Sequence, residues 1–289
     1  MPAISQSIKL IECPRDAMQG MHAFVPTEAK IAYINHLLTV GFDTIDFGSF
    51  VSPKAIPQMR DTADVLKGLN LNTSSKLLAI VANERGANDA SSFDEIQYLG
   101  YPFSISEQFQ QRNTNTSIED SLHQVEKLQS IAQQSNKELV VYLSMGFGNP
   151  YGEEWNSDLV VRWSERLFKD FGVKILALSD TIGCADPSDI RTLFPMLQAE
   201  LPKVEFGAHF HTVREKATGV IEAAYEAGCR RFDTAVKGFG GCPMAKDELT
   251  GNLATEQLLA WMSERKVETG LDMDAFQKAF LASSAIFNS

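Results

Sequence analysis

The sequence is poor in the features that mark membrane, secreted or nucleic-acid-binding chains. No stretch approaches the roughly 18 consecutive apolar residues that a membrane helix needs. Only four cysteines occur in 289 residues, Cys13, Cys184, Cys229 and Cys242. They are far apart and form no C-x-x-C, which excludes a disulfide framework and a paired-thiol redox or zinc motif. Positive charge is scarce: 26 Lys and Arg stand against 37 Asp and Glu, a net charge of −11. Nucleic acid, which needs a basic face, is therefore not an expected partner. Any anionic substrate must be met by a local cluster of cations. Phosphate-cradling loops are missing too, since no G-x-G-x-x-G follows the first strand and no G-x-x-x-x-G-K-[ST] occurs. The first residues carry neither the charged and apolar regions of a signal peptide nor the Arg-rich bias of a transit peptide, so the expected location is cytoplasmic, with no membrane association.

What is present is a repeat of short apolar run, polar turn and amphipathic stretch. Strands are expected at 8–11, 44–50, 77–81, 96–103, 139–145, 175–178, 204–211 and 231–236. Helices are expected at 27–40, 61–69, shortly after 85, and at 117–135, 156–171, 187–201, 218–227 and 254–265. Ser117 and Asp186 read as helix caps, and Pro187 suits a first helical position. The strands are mostly apolar rather than alternating, so both their faces are covered. Eight such units predict an α/β fold, a (β/α)8 TIM barrel, with a doubly wound open sheet as the alternative. With no linker or low-complexity break, residues 1–289 read as one barrel domain with a helical tail from about 270.

In a barrel of this kind the site forms at the carboxyl ends of the strands. The seventh strand ends in His209-Phe210-His211, and residues two apart on a strand share a face. Two imidazoles side by side suit a divalent metal. Other strand ends offer Arg15, Asp16 and Gln19, then Asp46 and Ser49, then Asp180, and finally Cys242 and Asn252. Asp16, both histidines and the amide oxygen of Asn252 make a mixed oxygen and nitrogen set that suits Mg²⁺ or Mn²⁺, although Asp with two His could also hold zinc. Plainer readings exist for each residue. Arg15-Asp16 could be a surface ion pair, Cys242 a packed apolar residue, Asp46 and Asp180 local caps, and Asn252 a helix cap. His22, His36 and His123 carry no functional reading.

The motifs Arg15-Asp16, Ser49-Phe50-Val51-Ser52-Pro53-Lys54, Asp180-Thr181-Ile182-Gly183, His209-Phe210-His211, Gly240-Gly241-Cys242-Pro243 and Gly251-Asn252-Leu253-Ala254-Thr255-Glu256 follow one another in an order that resembles hydroxymethylglutaryl-CoA lyase. More broadly, the chain is similar to the metal-dependent lyase and Claisen-type synthase superfamily of TIM barrels. The resemblance implies metal ligands Asp16, His209, His211 and Asn252, and an enolate-stabilising Arg15. It also implies a catalytic thiol at Cys242, substrate contacts from Gln19, Ser49 and Asp180, an acyl-CoA substrate and a homodimer. His209 or Asp46 would serve as general base. Departures stand at Asp46, where the family usually has Glu, and at Thr212-Val213-Arg214, where it has Asp-Thr after the histidines. The expected chemistry is retro-Claisen cleavage of 3-hydroxy-3-methylglutaryl-CoA to acetyl-CoA and acetoacetate. A related lyase or aldolase with another 3-hydroxyacyl-CoA or 2-oxo acid is an alternative, as is a catalytically silent barrel.

Overall fold

Each apolar run becomes a strand whose two faces feed two separate cores. The computed structural model describes residues 7–241 and 250–287. Its strands are β1 (Lys9–Glu12), β2 (Thr44–Ser49), β3 (Lys76–Ile80), β4 (Ile96–Ser104), β5 (Glu138–Ser144), β6 (Ile175–Asp180), β7 (Glu205–Phe210) and β8 (Arg231–Thr234). They are parallel and close in sequence order, with β8 pairing back on β1. The predicted (β/α)8 barrel is therefore the observed fold, and the open sheet is not.

Inward side chains, among them Leu78, Ile80, Tyr98, Val140, Tyr142 and Ile175, form one buried cluster, while outward ones join the helices in a larger one. Gly100 makes the inner packing possible, since a Cβ there would lie 2.6 Å from Ile80 and 3.2 Å from Tyr142. The barrel floor is polar. Arg231 is 1% exposed and donates to Glu205 at 3.3 Å, and Glu205 also pairs with Lys9 at 2.6 Å.

Helices fall near their expected positions, with two additions. A short helix α1 (Pro14–Gln19) follows β1 at once, so Arg15 and Asp16 are helical and buried rather than on a surface loop. A helix at Glu107–Thr114, capped by Ser106, has no counterpart in the sequence reading. Its polar sequence, EQFQQRNT, gives no apolar stripe to read.

The tail contributes helices Met273–Ala282 and Ser284–Phe287, which pack against Thr27–Leu38. Phe287 stacks on Phe239 with centroids 4.4 Å apart, and Lys237 Nζ donates to Ser284 Oγ at 2.8 Å. The tail thus braces the segment that follows β8. No helix among the described residues is long and apolar enough to cross a membrane.

Glu12, at the end of β1, ties that same segment from inside. Its carboxyl accepts from the Val236 amide at 2.8 Å and lies 2.6 Å from Thr255 Oγ1, which also contacts Thr234 Oγ1 at 3.0 Å. One hydroxyl proton cannot serve both of the Thr255 contacts. A protonated Glu12 donating to Thr255, which donates onward to Thr234, satisfies the whole row. Burial supports this by pushing the Glu12 pKa from 4.5 to about 8. The native state then holds a proton that the unfolded chain releases above pH 4.5. The unfolded state binds fewer protons across that window, so stability falls as pH rises towards 8 and is level beyond. Glu12→Gln, neutral throughout, should remove this slope, a difference on the order of a few kcal/mol. Denaturant titrations of both proteins on either side of the window check it, and equal pH slopes would mean that Glu12 is ionised in the fold.

Candidate metal centre

Three elements deliver the candidate metal-ligating groups to the carboxyl end of the barrel. Asp16 comes from α1, which starts on Pro14 with its fixed φ. His209 belongs to β7, and His211 lies one residue past its end in an isolated bridge with Asn252. One ligating atom from each of Asp16, His209 and His211 lies within 4.8 Å of the others, and all three residues are buried. The two imidazole centroids are 5.3 Å apart, so the shared face expected of His-x-His is present.

The tautomers are set from behind. His211 Nδ1 lies 3.0 Å from the Thr181 carbonyl, which can only accept, so Nδ1 carries the proton. His211 Nε2 is left with a free lone pair, and it is buried with no hydrogen-bond partner among the described residues. That orphaned acceptor beside Asp16 and His209 is what a divalent cation would satisfy, and the donor set fits one. His209 Nδ1 faces Asp233 Oδ2 at 3.3 Å. Asp233, at the matching register position on β8, is a candidate site residue absent from the sequence expectations. It stands where an acceptor behind the His209 ring would orient it. Alternation within Arg231-Phe232-Asp233, charged residues at period two in a buried strand, was the available signal.

Arg15 binds the acids of the site together. Its Nε donates to Asp46 at 3.1 and 3.0 Å, and Nη2 also donates to Asp46. Nη1 donates to Asp16 at 2.8 Å and to Gln19 at 2.9 Å. Asp46, though one methylene shorter than Glu, therefore reaches Arg15. Of the five guanidinium N–H groups, one on Nη2 has no acceptor among the described residues. Asn252 Nδ2 donates to Asp16 Oδ2 at 2.6 Å and to the Phe239 carbonyl at 2.8 Å, so its amide is fixed beside the cluster. Gly240 permits that approach, since a Cβ there would lie 2.5 Å from Asn252 Nδ2.

Charge follows geometry. Burial opposes ionisation of Asp16, but Arg15, the two histidines and Asn252 outweigh it and hold its pKa at about 2. Burial dominates at Asp46 and raises its pKa to about 6 despite Arg15. Burial and the neighbouring His209 lower His211 to about 4, so it is neutral at physiological pH. Burial also pulls His209 down, but the hydrogen bond and charge of Asp233, with Asp16, lift it above its ordinary value.

Other expected residues differ in what the structure gives them. Asp180 accepts backbone N–H groups from Cys184 and Ala185, both at 2.9 Å, the geometry of a turn cap. Ser49 Oγ accepts from the Val51 amide at 3.2 Å. Cys242 lies outside the described residues.

Comparison with known proteins then decides the family. The HMGL-like family model matches residues 8–280. The chain belongs to the HMGL-like family. It is 35% identical over 266 residues to the hydroxymethylglutaryl-CoA lyase of Bacillus subtilis, covering 92% of this chain and 88% of that one. It is 32% identical over 277 residues to the 3-hydroxy-3-isohexenylglutaryl-CoA/hydroxy-methylglutaryl-CoA lyase of Pseudomonas aeruginosa, covering 96% and 91%. An Acinetobacter baumannii HMG-CoA lyase, solved with coenzyme A and 3-methylmalate, superposes with a TM-score of 0.91 at 30% identity, covering 100% of this chain and 93% of that one.

Within this family site, Asp233→Asn should weaken Mn²⁺ binding about 10- to 100-fold, the usual cost of losing a partner behind a ligating histidine. Titration followed by the electron-paramagnetic signal of free Mn²⁺ measures this directly. Unchanged affinity would detach Asp233 from the metal centre.

Proposed function

We propose that this chain is a divalent-metal-dependent carbon–carbon lyase that cleaves 3-hydroxy-3-methylglutaryl-CoA to acetyl-CoA and acetoacetate. The observation that carries the reading is Arg15, buried beside the Asp16, His209 and His211 cluster, with one Nη2 N–H that has no acceptor among the described residues. A guanidinium so placed has one obvious use, to receive an oxygen that gains negative charge as a carbon–carbon bond breaks.

Asp16, His209, His211 and the amide oxygen of Asn252 are the proposed ligands of Mg²⁺ or Mn²⁺. The bound ion would supply Lewis acidity that lowers the pKa of the substrate's tertiary hydroxyl. The proton on that hydroxyl needs a base. His209 is a poor one in this arrangement, because its Nδ1 faces Asp233 at 3.3 Å and the ring is itself a proposed metal ligand. Asp46 keeps unshared lone pairs beyond its Arg15 contacts, and its pKa of about 6 suits proton transfer near neutrality. We assign the base to Asp46. Arg15 then holds the thioester enolate oxygen, and Cys242, next to Gly240-Gly241 in sequence, is assigned protonation of the enolate carbon. Gln19 fixes the Arg15 fork, while Ser49 and Asp180 shape the substrate rim through the backbone turns they hold. A homodimer in the cytoplasm completes the proposal.

Release of acetoacetate and acetyl-CoA by the purified protein with Mg²⁺ or Mn²⁺ tests the activity. Turnover of another 3-hydroxyacyl-CoA or a 2-oxo acid in its place would move the assignment to that substrate. Arg15→Met should lower kcat by about 10²–10³, since its contribution grows as the oxygen becomes anionic. Arg15→Lys should rescue only in part, having lost the planar fork. Steady-state kinetics showing normal kcat with a raised KM would reduce Arg15 to an anchor for bound substrate.

A further inference from the structure

His209 stands between two sets of potential ligands. One is the Asp16 and His211 cluster. The other includes Asp233, which faces His209 Nδ1 at 3.3 Å: Cys13, His209 and Asp233 also bring one ligating atom each within 4.8 Å of one another, all three residues buried. Cys13 directly follows β1, Asp233 sits on β8, and His209 on β7, so three consecutive strands of the closed barrel converge there. Cys13 Sγ makes only a weak contact, 3.9 Å, with the Ile11 carbonyl. Asp233 Oδ1 is buried with no hydrogen-bond partner among the described residues.

We propose that Cys13, His209 and Asp233 form a second, soft-metal site of the Zn²⁺ class, and that its occupation excludes the hard ion from the Asp16 cluster. The ligand types select the ion. A thiolate with imidazole and carboxylate favours Zn²⁺, Co²⁺ or Cd²⁺ over Mg²⁺ and Mn²⁺. Ligand atoms around tetrahedral zinc lie roughly 3.3–3.8 Å apart, so these need to close by about 1.5 Å at most. Asp233, Asp46 and Asp16 surround the sulfur with negative charge, which together with burial raises the pKa of the bare thiol. The same field attracts a dication.

Exclusion follows from proton bookkeeping at His209. A neutral imidazole carries one proton and one ligating lone pair. When the soft ion takes the Nδ1 lone pair, the Nδ1 proton moves to Nε2, and Nε2 becomes a donor that cannot bind the ion beside Asp16. The Cys13 thiol proton is released to solvent, so one proton leaves per ion bound. His209 thereby acts as a two-position selector between hard and soft metals.

The binding can be read without turnover, and so independently of the lyase assignment. Co²⁺ added to the wild-type protein should give a near-ultraviolet thiolate-to-cobalt charge-transfer band. The band should vanish in Cys13→Ala and Cys13→Ser and persist in Cys242→Ser. One equivalent of Zn²⁺ should weaken Mn²⁺ binding at least 10-fold in wild type and much less in the two Cys13 variants, whose Mn²⁺ affinity in the absence of Zn²⁺ should match wild type. A cobalt spectrum without the band, a band lost with Cys242 rather than Cys13, or equal Zn²⁺ antagonism in Cys13→Ala would each overturn the proposal.

Discussion

The whole catalytic face depends on how Arg15 allows two aspartates to be buried side by side. Asp16 and Asp46 are each under a tenth exposed, and two carboxylates so placed repel one another. One guanidinium, donating to both, supplies the compensating charge. The burden is unequal. Asp16, which also has Asn252 and two imidazoles, is held as a firm anion, whereas Asp46 stays close to the pH at which it would accept a proton. A single cation thus leaves two chemically identical side chains with opposed protonation tendencies, the usual route to separate roles in one site.

That division works only if the backbone brings α1, the end of β7 and the residues around Asn252 into contact. Three chain features do so. Pro14 starts a helix immediately after β1, which turns Arg15 and Asp16 inward. Gly240 and Gly251 let the segment after β8 lie against the start of the last barrel helix, since a Cβ at Gly251 would meet the Gly238 carbonyl at 2.1 Å. Glu12 and the Phe287–Phe239 stack hold the same segment from inside the barrel and from the tail. The site is therefore supported by rigid elements and by contacts far away in sequence, as a preorganised constellation requires.

The barrel and the pairing of His209 with His211 were legible in the sequence because both depend on local pattern. Apolar runs and amphipathic stretches announce eight units, and His-x-His announces a shared face. What escaped were interactions made between elements. The Thr181 carbonyl that fixes the His211 tautomer is main chain and leaves no mark in residue identity. Asp233 looked like one acid among 37 Asp and Glu, and its meaning appears only when strand pairing sets it opposite His209. Glu12 reads as an ordinary charged residue until burial, which pushes its pKa up to about 8, and its place in the threonine row set it apart. Helix Glu107–Thr114 was missed for the opposite reason, because its polar sequence lacks any stripe.

The acceptors behind the two histidines show how much freedom such a cluster leaves to the chain. An imidazole ligand needs its far nitrogen to donate, but the acceptor's identity and origin in the chain are free. Here one acceptor is a backbone carbonyl on the loop after β6 and the other a carboxylate on β8. The two are not equivalent. Burial and the neighbouring His209 leave His211 neutral and low in pKa, whereas the hydrogen bond and charge of Asp233 lift His209 above its ordinary value. The two rings of one His-x-His pair thereby differ in basicity, and the difference follows from what surrounds each ring rather than from the ring itself.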